Sequence, residues 1–229
     1  MTNKVIHVKV CGLNSPENVE QLKNLPIDYF GYVFHASSKR YVGSDLFIDK
    51  RLFAVNGYRT GVFVDAETRN IKTIAQKCKL SHIQLHGNEP PSSCQSLKDS
   101  GLQVIKSFRV DEDFDFGACS SYDSVSDYYL FDARGELPGG NGKKFKWEIL
   151  NRYRGAVPFF LSGGISPGDV ERIARFVHPF FYGIDLNSGF EDVPGIKNYA
   201  KLSDFLTRYY SFRTISTHTD RYEKNEFQH

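Results

Sequence analysis

The chain has 229 residues, with 29 basic and 27 acidic side chains, and the resulting formal charge of +2 excludes the dense positive surface that a nucleic acid or an anionic membrane demands. A hydrophobic content of 40% with 13 Tyr and 19 Phe separates it from disordered chains, and the length suits one full domain or two small ones. No run approaches the ~18 apolar residues needed to cross a bilayer, and the four cysteines show no metal-ligand or paired spacing, so a cytoplasmic protein without zinc or a disulfide frame is expected.

The N-terminus runs straight into an alternating strand, Val5–Val10, with no apolar signal core before it. A helical period follows at Pro16–Leu25, then a strand at Tyr29–Phe34 and a helix at Leu46–Val55. The same alternation continues through strands at Thr60–Val64, His82–Leu85, Val104–Phe108, Tyr128–Phe131, Val157–Leu161 and Phe181–Leu186. Helices are predicted between and after them at Glu67–Cys78, Pro90–Asp99, Phe114–Tyr122, Trp147–Tyr153, Pro167–Phe176 and Ile196–Tyr210. In the third of the eight helices Ile71, Ile74 and Ala75 recur at helical spacing, which gives it one apolar face. Eight βα units without a Pro/Gly-rich linker specify the α/β class and a single (β/α)8 TIM barrel over residues 1–210. Residues 211–229 are polar and aperiodic, and read as a C-terminal tail.

In such a barrel the chemistry lies where strands end and βα loops begin. Phe159-Phe160-Leu161 ends in Ser162-Gly163-Gly164, after which Ser166 can cap a helix that starts at Pro167. Bare glycine amides with a helix N-terminus behind them make an anion site, and the second loop, Asn187-Ser188-Gly189, repeats the arrangement. Two such loops near the end of the chain point to a phosphate. Cys11 closes the first strand, and if Val8 and Val10 face the helices, Lys9 and Cys11 face the barrel axis. The thiol is then either a small buried hydrophobe or a group within reach of a ligand. Asp132 ends an almost wholly apolar strand, where a carboxylate is costly without a partner, solvent or substrate.

Arg40 sits on a basic loop beside the mouth, as a solvated cation or as a bidentate clamp for a carboxylate. His86 has the right address for polar contact with a ligand, or is a satisfied rim histidine. The run Gly139-Gly140-Asn141-Gly142-Lys143-Lys144 has Leu137 where a nucleotide-binding loop needs its first glycine. It therefore reads as a mobile loop able to cover the site.

The order of Lys9-Val10-Cys11-Gly12, Ser38-Lys39-Arg40-Tyr41-Val42, Gln84-Leu85-His86-Gly87, Phe131-Asp132, Leu161-Ser162-Gly163-Gly164 and Asp185-Leu186-Asn187-Ser188-Gly189-Phe190-Glu191, with Pro194-Gly195-Ile196-Lys197 beyond, closely resembles the phosphoribosylanthranilate isomerases. The resemblance implies an Amadori rearrangement of a phosphorylated sugar in tryptophan biosynthesis, with no metal and no cofactor. By the same resemblance Cys11 is the general base and Asp132 the general acid. Arg40, His86 and Asp185 are implied to bind substrate, and Gly163, Gly164, Asn187 and Ser188 to bind its phosphate. The implied partners are a small-molecule substrate and, at most, a second copy in a homodimer, with no nucleic acid or membrane. Lysines at 144 and 146 depart from the Thr and Asp usual in the family. Another sugar-phosphate isomerase on the same barrel, or a barrel that binds phosphate ligands without turning them over, are the rival readings.

Overall fold

The computed structural model describes residues 6–43, 49–133 and 147–225, with side chains as far as Phe212. The expected start of the first strand at Val5, the start of the second helix at Leu46, the glycine-rich run 139–144 and residues 226–229 lie outside the described residues.

All eight expected strands form, as β1 (His7–Cys11), β2 (Tyr29–Val33), β3 (Tyr58–Phe63), β4 (His82–Leu85), β5 (Gln103–Val110), β6 (Tyr128–Ala133), β7 (Phe159–Ser162) and β8 (Phe181–Leu186). Each pairs parallel with its neighbour in sequence, and β1 pairs with β8, with Lys9 opposite Asp185, to close the cylinder. A closed sheet leaves no unpaired edge. The parity read from β1 holds: Val8 and Val10 belong to the shell packed under the helices, while Lys9 and Cys11 turn inward.

The connections are less uniformly α-helical than their periodicity predicts. The α-helices are α1 (Pro16–Leu22), α2 (Thr68–Cys78), α3 (Pro91–Lys98), α4 (Val170–Arg175) and α5 (Tyr199–Asn225). After β2, β5 and β6 the described helical segments are instead 3₁₀ turns at Lys50–Phe53, Phe116–Tyr122 and Trp147–Arg152. In the second of these, Gly117, Ser120 and Ser121 favour turn geometry, and the Asp115 carboxylate accepts the Gly117 amide at 2.8 Å, which stabilises a tight turn over a regular helix. The last helix departs from expectation at both ends. Ile196–Lys197 (β10) pairs antiparallel with Glu191–Val193 (β9) across the Pro194-Gly195 turn, so α5 starts only at Tyr199. It then continues beyond Tyr210 to Asn225, through much of the segment expected to be a tail.

The base of the cylinder is filled by rings. Tyr29, Ile105, Leu130 and Phe160 form a separate interior cluster, with Tyr128 and Tyr182 against it. The Tyr29 and Tyr182 hydroxyls share a hydrogen bond of 2.7 Å, and Tyr128 donates to Tyr182 at 3.4 Å, so these tyrosines bury rings without leaving the shared hydroxyls unpaired. His82 stands beside them, 5.1 Å from the Tyr29 ring and 4.9 Å from that of Tyr58, with its Nδ1 against the Ser81 hydroxyl. Burial pushes its pKa down to about 4, and the more distant Asp127 only partly opposes this.

A histidine whose folded pKa lies below its unfolded value of about 6.5 contributes stability that is intact above pH 6.5 and is lost as pH falls toward 4. The expected loss from this residue alone is about 3 kcal/mol between pH 7 and pH 4. Urea unfolding of the wild type and of His82→Phe should therefore show a shallower acid dependence in the variant. Equal slopes in the two proteins would remove His82 as the cause.

Candidate active site

At the C-terminal end of the strands lies a cavity of about 340 Å³. Every residue picked out in the sequence lines it: Cys11, Asp132, Arg40, His86, Asp185, Gly163, Gly164, Asn187 and Ser188. They come from β1, β6, β8 and the loops after β2, β4, β7 and β8, so closure of the barrel is what brings them together.

Cys11 is the last residue of β1 and lies in register with Gly31 on β2. A Cβ at position 31 would meet the Cys11 Sγ at 2.8 Å, so only glycine leaves room for the thiol. Below it, the Lys9 ammonium donates to Asp185 Oδ1 at 2.9 Å, and Ser162 Oγ donates to Asp185 Oδ2 at 3.3 Å. Neighbouring cations alone would lower the Cys11 pKa, yet the balance runs the other way. Burial pushes the thiol up, Lys9 and Lys197 pull it down, Asp185 opposes them, and the net shift is upward. Burial pushes the Lys9 pKa down, but the charge of Asp185 beside it leads the opposing effects and the net shift is upward, so the ammonium stays charged.

Across the mouth, Asp132 is in register with Ser162 on β7 and Arg109 on β5. Its Oδ2 lies 3.6 Å from His86 Nε2, and the side-chain amide of Gln84 is 2.9 Å from His86 Nδ1. With that amide donating, Nδ1 accepts and Nε2 carries its proton toward Asp132. His86 is thus a partly exposed rim residue with a polar neighbour at each ring nitrogen. It stands between a buried glutamine and the carboxylate.

The two glycine loops abut. Gly163 and Gly164 have φ of 96° and 64°, a region that side chains other than glycine avoid, and a Cβ on Gly164 would meet nothing within 4 Å. Behind them Ser166 caps the turn Pro167–Asp169, with a reciprocal hydrogen bond of 2.9 Å from the Ser166 amide to Asp169. A second short turn, Ser188–Phe190, follows Asn187, and Gly189 packs so closely on the Ile165 carbonyl that a side chain there would clash. Backbone amides and open glycine backbone at two adjacent turns fit a phosphate dianion.

Arg40 is not the solvated cation its loop position allowed. Its Nε and Nη2 reach both oxygens of Glu191, with contacts of 2.8 Å and 2.6 Å. Glu191 also accepts from Lys197, whose ammonium donates to Asn187 Oδ1 at 2.9 Å. Sequence reasoning passed over Glu191, Lys197 and Gln84 as site residues. All three stand in motifs that carry the family resemblance, and for Glu191 a carboxylate just after an anion loop is a readable signal.

The sequence profile of N-(5'-phosphoribosyl)anthranilate (PRA) isomerase matches residues 8–208, the whole span from β1 into α5. The chain belongs to this family. An N-(5'-phosphoribosyl)anthranilate isomerase of Phocaeicola vulgatus is 41% identical over 201 residues, covering 88% of this chain and 96% of that relative. Among solved structures, phosphoribosyl anthranilate isomerase from Thermotoga maritima aligns with a TM-score of 0.77 at 29% identity, over 90% of this chain and all of that one. A phosphoribosyl anthranilate isomerase in complex with reduced 1-(o-carboxyphenylamino)-1-deoxyribulose 5-phosphate aligns with a TM-score of 0.75 at 28% identity, over 90% and 100% of the two chains. The enzyme is accordingly an isomerase of tryptophan biosynthesis. Among its described residues no helix is long and apolar enough to cross a membrane.

The buried thiol of this isomerase has a measurable consequence. Alkylation of Cys11 by iodoacetamide, followed by peptide mass spectrometry, should be slow at pH 7 and still accelerating past pH 9, because the thiolate is the reactive form. A midpoint below about 8 would contradict the upward shift.

Proposed function

We propose that the isomerase carries out the Amadori rearrangement of N-(5'-phosphoribosyl)anthranilate with Asp132 as general acid and Cys11 as general base. The supporting observation is that both side chains line one cavity whose far wall is the pair of phosphate loops. With the phosphate on Gly163, Gly164, Asn187 and Ser188, the ribose lies over the barrel axis between the two groups. Asp132 gives its proton to the furanose ring oxygen, the C1–O bond breaks, and the anilino nitrogen forms a C=N bond and becomes cationic. Cys11, as the thiolate left when its own proton passes to solvent, then takes the proton from C2, whose electrons neutralise the iminium as an enolamine, and ketonisation completes the isomerisation. Proton transfers alone balance this sequence, so it needs no redox partner.

The raised pKa of Cys11 fits that order. Before the ring opens, burial keeps the thiol neutral. Once a positive iminium forms beside C2, the same low-dielectric site favours a thiolate, with Lys9 below it as a second cation. The thiolate, the form able to accept the C2 proton, is thereby populated when the substrate becomes acidic. Arg40 supplies the cation for the anthranilate carboxylate, and His86 and Asp185 hold the sugar and the acid–base pair in place. The same reading assigns catalysis to residues 1–210 in the cytoplasm, as a monomer or homodimer, with 211–229 outside the catalytic barrel.

Turnover followed by the loss of anthranilate fluorescence tests the assignment. Cys11→Ser and Asp132→Asn are each expected to lower kcat by about 10²–10⁴ while KM changes little, since each removes a proton-transfer group and leaves the phosphate and carboxylate contacts intact. A kcat near wild type in either variant would move that role elsewhere.

A further inference from the structure

Glu191 lies on β9, immediately after the second phosphate loop, and its side chain is 5% exposed. It is held by two cations from different parts of the chain. Arg40 approaches from the loop after β2, 151 residues away, and Lys197 comes from β10 with a fully buried side chain. Both carboxylate oxygens are used: Oε1 accepts from Arg40 Nε at 2.8 Å, from Lys197 and from the Gly195 amide at 3.1 Å, while Oε2 accepts from Arg40 Nη2 at 2.6 Å. Burial pushes the Glu191 carboxyl up, but the hydrogen bonds from Arg40 and Lys197 prevail and hold it below the usual carboxylate range. Lys197 is the more deeply buried partner, and its desolvation outweighs the pull of Glu191.

The hairpin carrying this carboxylate is itself fixed. The Asn18 side chain on α1 donates to the Lys197 carbonyl at 2.8 Å and accepts from the Lys197 amide at 2.7 Å. The Arg40 stem crosses Gly12, where a Cβ would meet Arg40 Cδ at 2.5 Å and Asn187 Oδ1 at 2.9 Å. A guanidinium offers two bidentate edges, Nε with one Nη, and the two Nη nitrogens together. Glu191 occupies the first. Among the described residues no group takes the second, and Arg40 lines the cavity. Two cations against one carboxylate leave an excess of one positive charge beside the mouth.

We infer that Glu191 is a positioning residue which, by taking the side edge of Arg40, aims the end-on fork of Arg40 at the carboxylate of the substrate. This rests on the reading that Arg40 receives the anthranilate carboxylate. It adds a specificity element to the site: the cation that recognises the aromatic acid is oriented from behind by a carboxylate on the hairpin after β8, next to the loop after β2 across β1.

The test is Glu191→Gln, which keeps the volume and one acceptor and removes the charge. Two inhibitors are compared, the reduced product and the same compound without its ring carboxylate. The expected result is about a tenfold loss of affinity for the first, little change for the second, and a raised KM with kcat nearly unchanged. Equal losses for the two inhibitors, or no loss for either, would overturn the inference. In a double-mutant cycle, Arg40→Lys with Glu191→Gln should be no worse than Arg40→Lys alone, and additive losses would count against the inference. If Glu191→Gln does not fold, Glu191→Asp keeps the charge on a shorter stem and should show the same selectivity at smaller size. An unselective loss there overturns the inference as well. The wild-type assay keeps the two readings apart, because a wild type without turnover sinks the reaction, whereas turnover with an unselective Glu191→Gln sinks only the positioning role.

Discussion

The ion pair between Lys9 and Asp185 is the constraint on which the rest of the site depends. Both charges are buried, at 0% and 6% exposure, and desolvating them is costly unless their geometry is good and the remaining valences are met. The 2.9 Å contact and the Ser162 hydroxyl on the second oxygen meet that condition. Because the two residues are register partners on β1 and β8, the pair also lies across the seam where the first strand meets the last. Removing one partner would leave the other uncompensated inside the cylinder, directly beneath the cysteine.

From that pair the electrostatics of the mouth follow. Lys9 sets a positive charge under the thiol, Asp185 cancels part of it, and burial decides the balance in favour of the neutral form. A permanently ionised thiolate would be a nucleophile toward any electrophile that entered. A buried thiol held neutral is far less reactive toward such electrophiles. The opposite wall is arranged differently, with Asp132 beside a hydrogen-bonded histidine.

Much of this architecture is legible in the sequence. Strand order follows from the recurrence of short apolar runs, and the inward turn of Lys9 and Cys11 follows from the two-residue period of β1 alone, because Val8 and Val10 claim the other face. The glycine loops are readable because bare backbone followed by Ser166-Pro167 marks a strand end that feeds directly into a capped turn. What is not legible is contact between distant segments. Arg40 shows its charge in the sequence but not its partner, since Glu191 meets it only when the loop after β2 and the hairpin after β8 converge on Gly12. The helix predicted from Ile196 failed for a related reason: Lys197 satisfies its backbone on Asn18, a tertiary contact that outcompetes the local helical pattern. Segments such as Phe116–Tyr122 show an apolar helical stripe, but short length and poor helix formers turn them into 3₁₀ turns.

The plug of Tyr29, Tyr128, Tyr182 and Phe160 separates the two ends of the cylinder. Its rings and shared hydroxyls make the lower half self-sufficient, whereas Cys11, Asp132 and the glycine loops stand on the upper rim. Selection can therefore act on the two halves at different rates. A descendant with a new substrate has to rewrite only the rim, while the floor passes on as an inherited foundation that tolerates experiment above it.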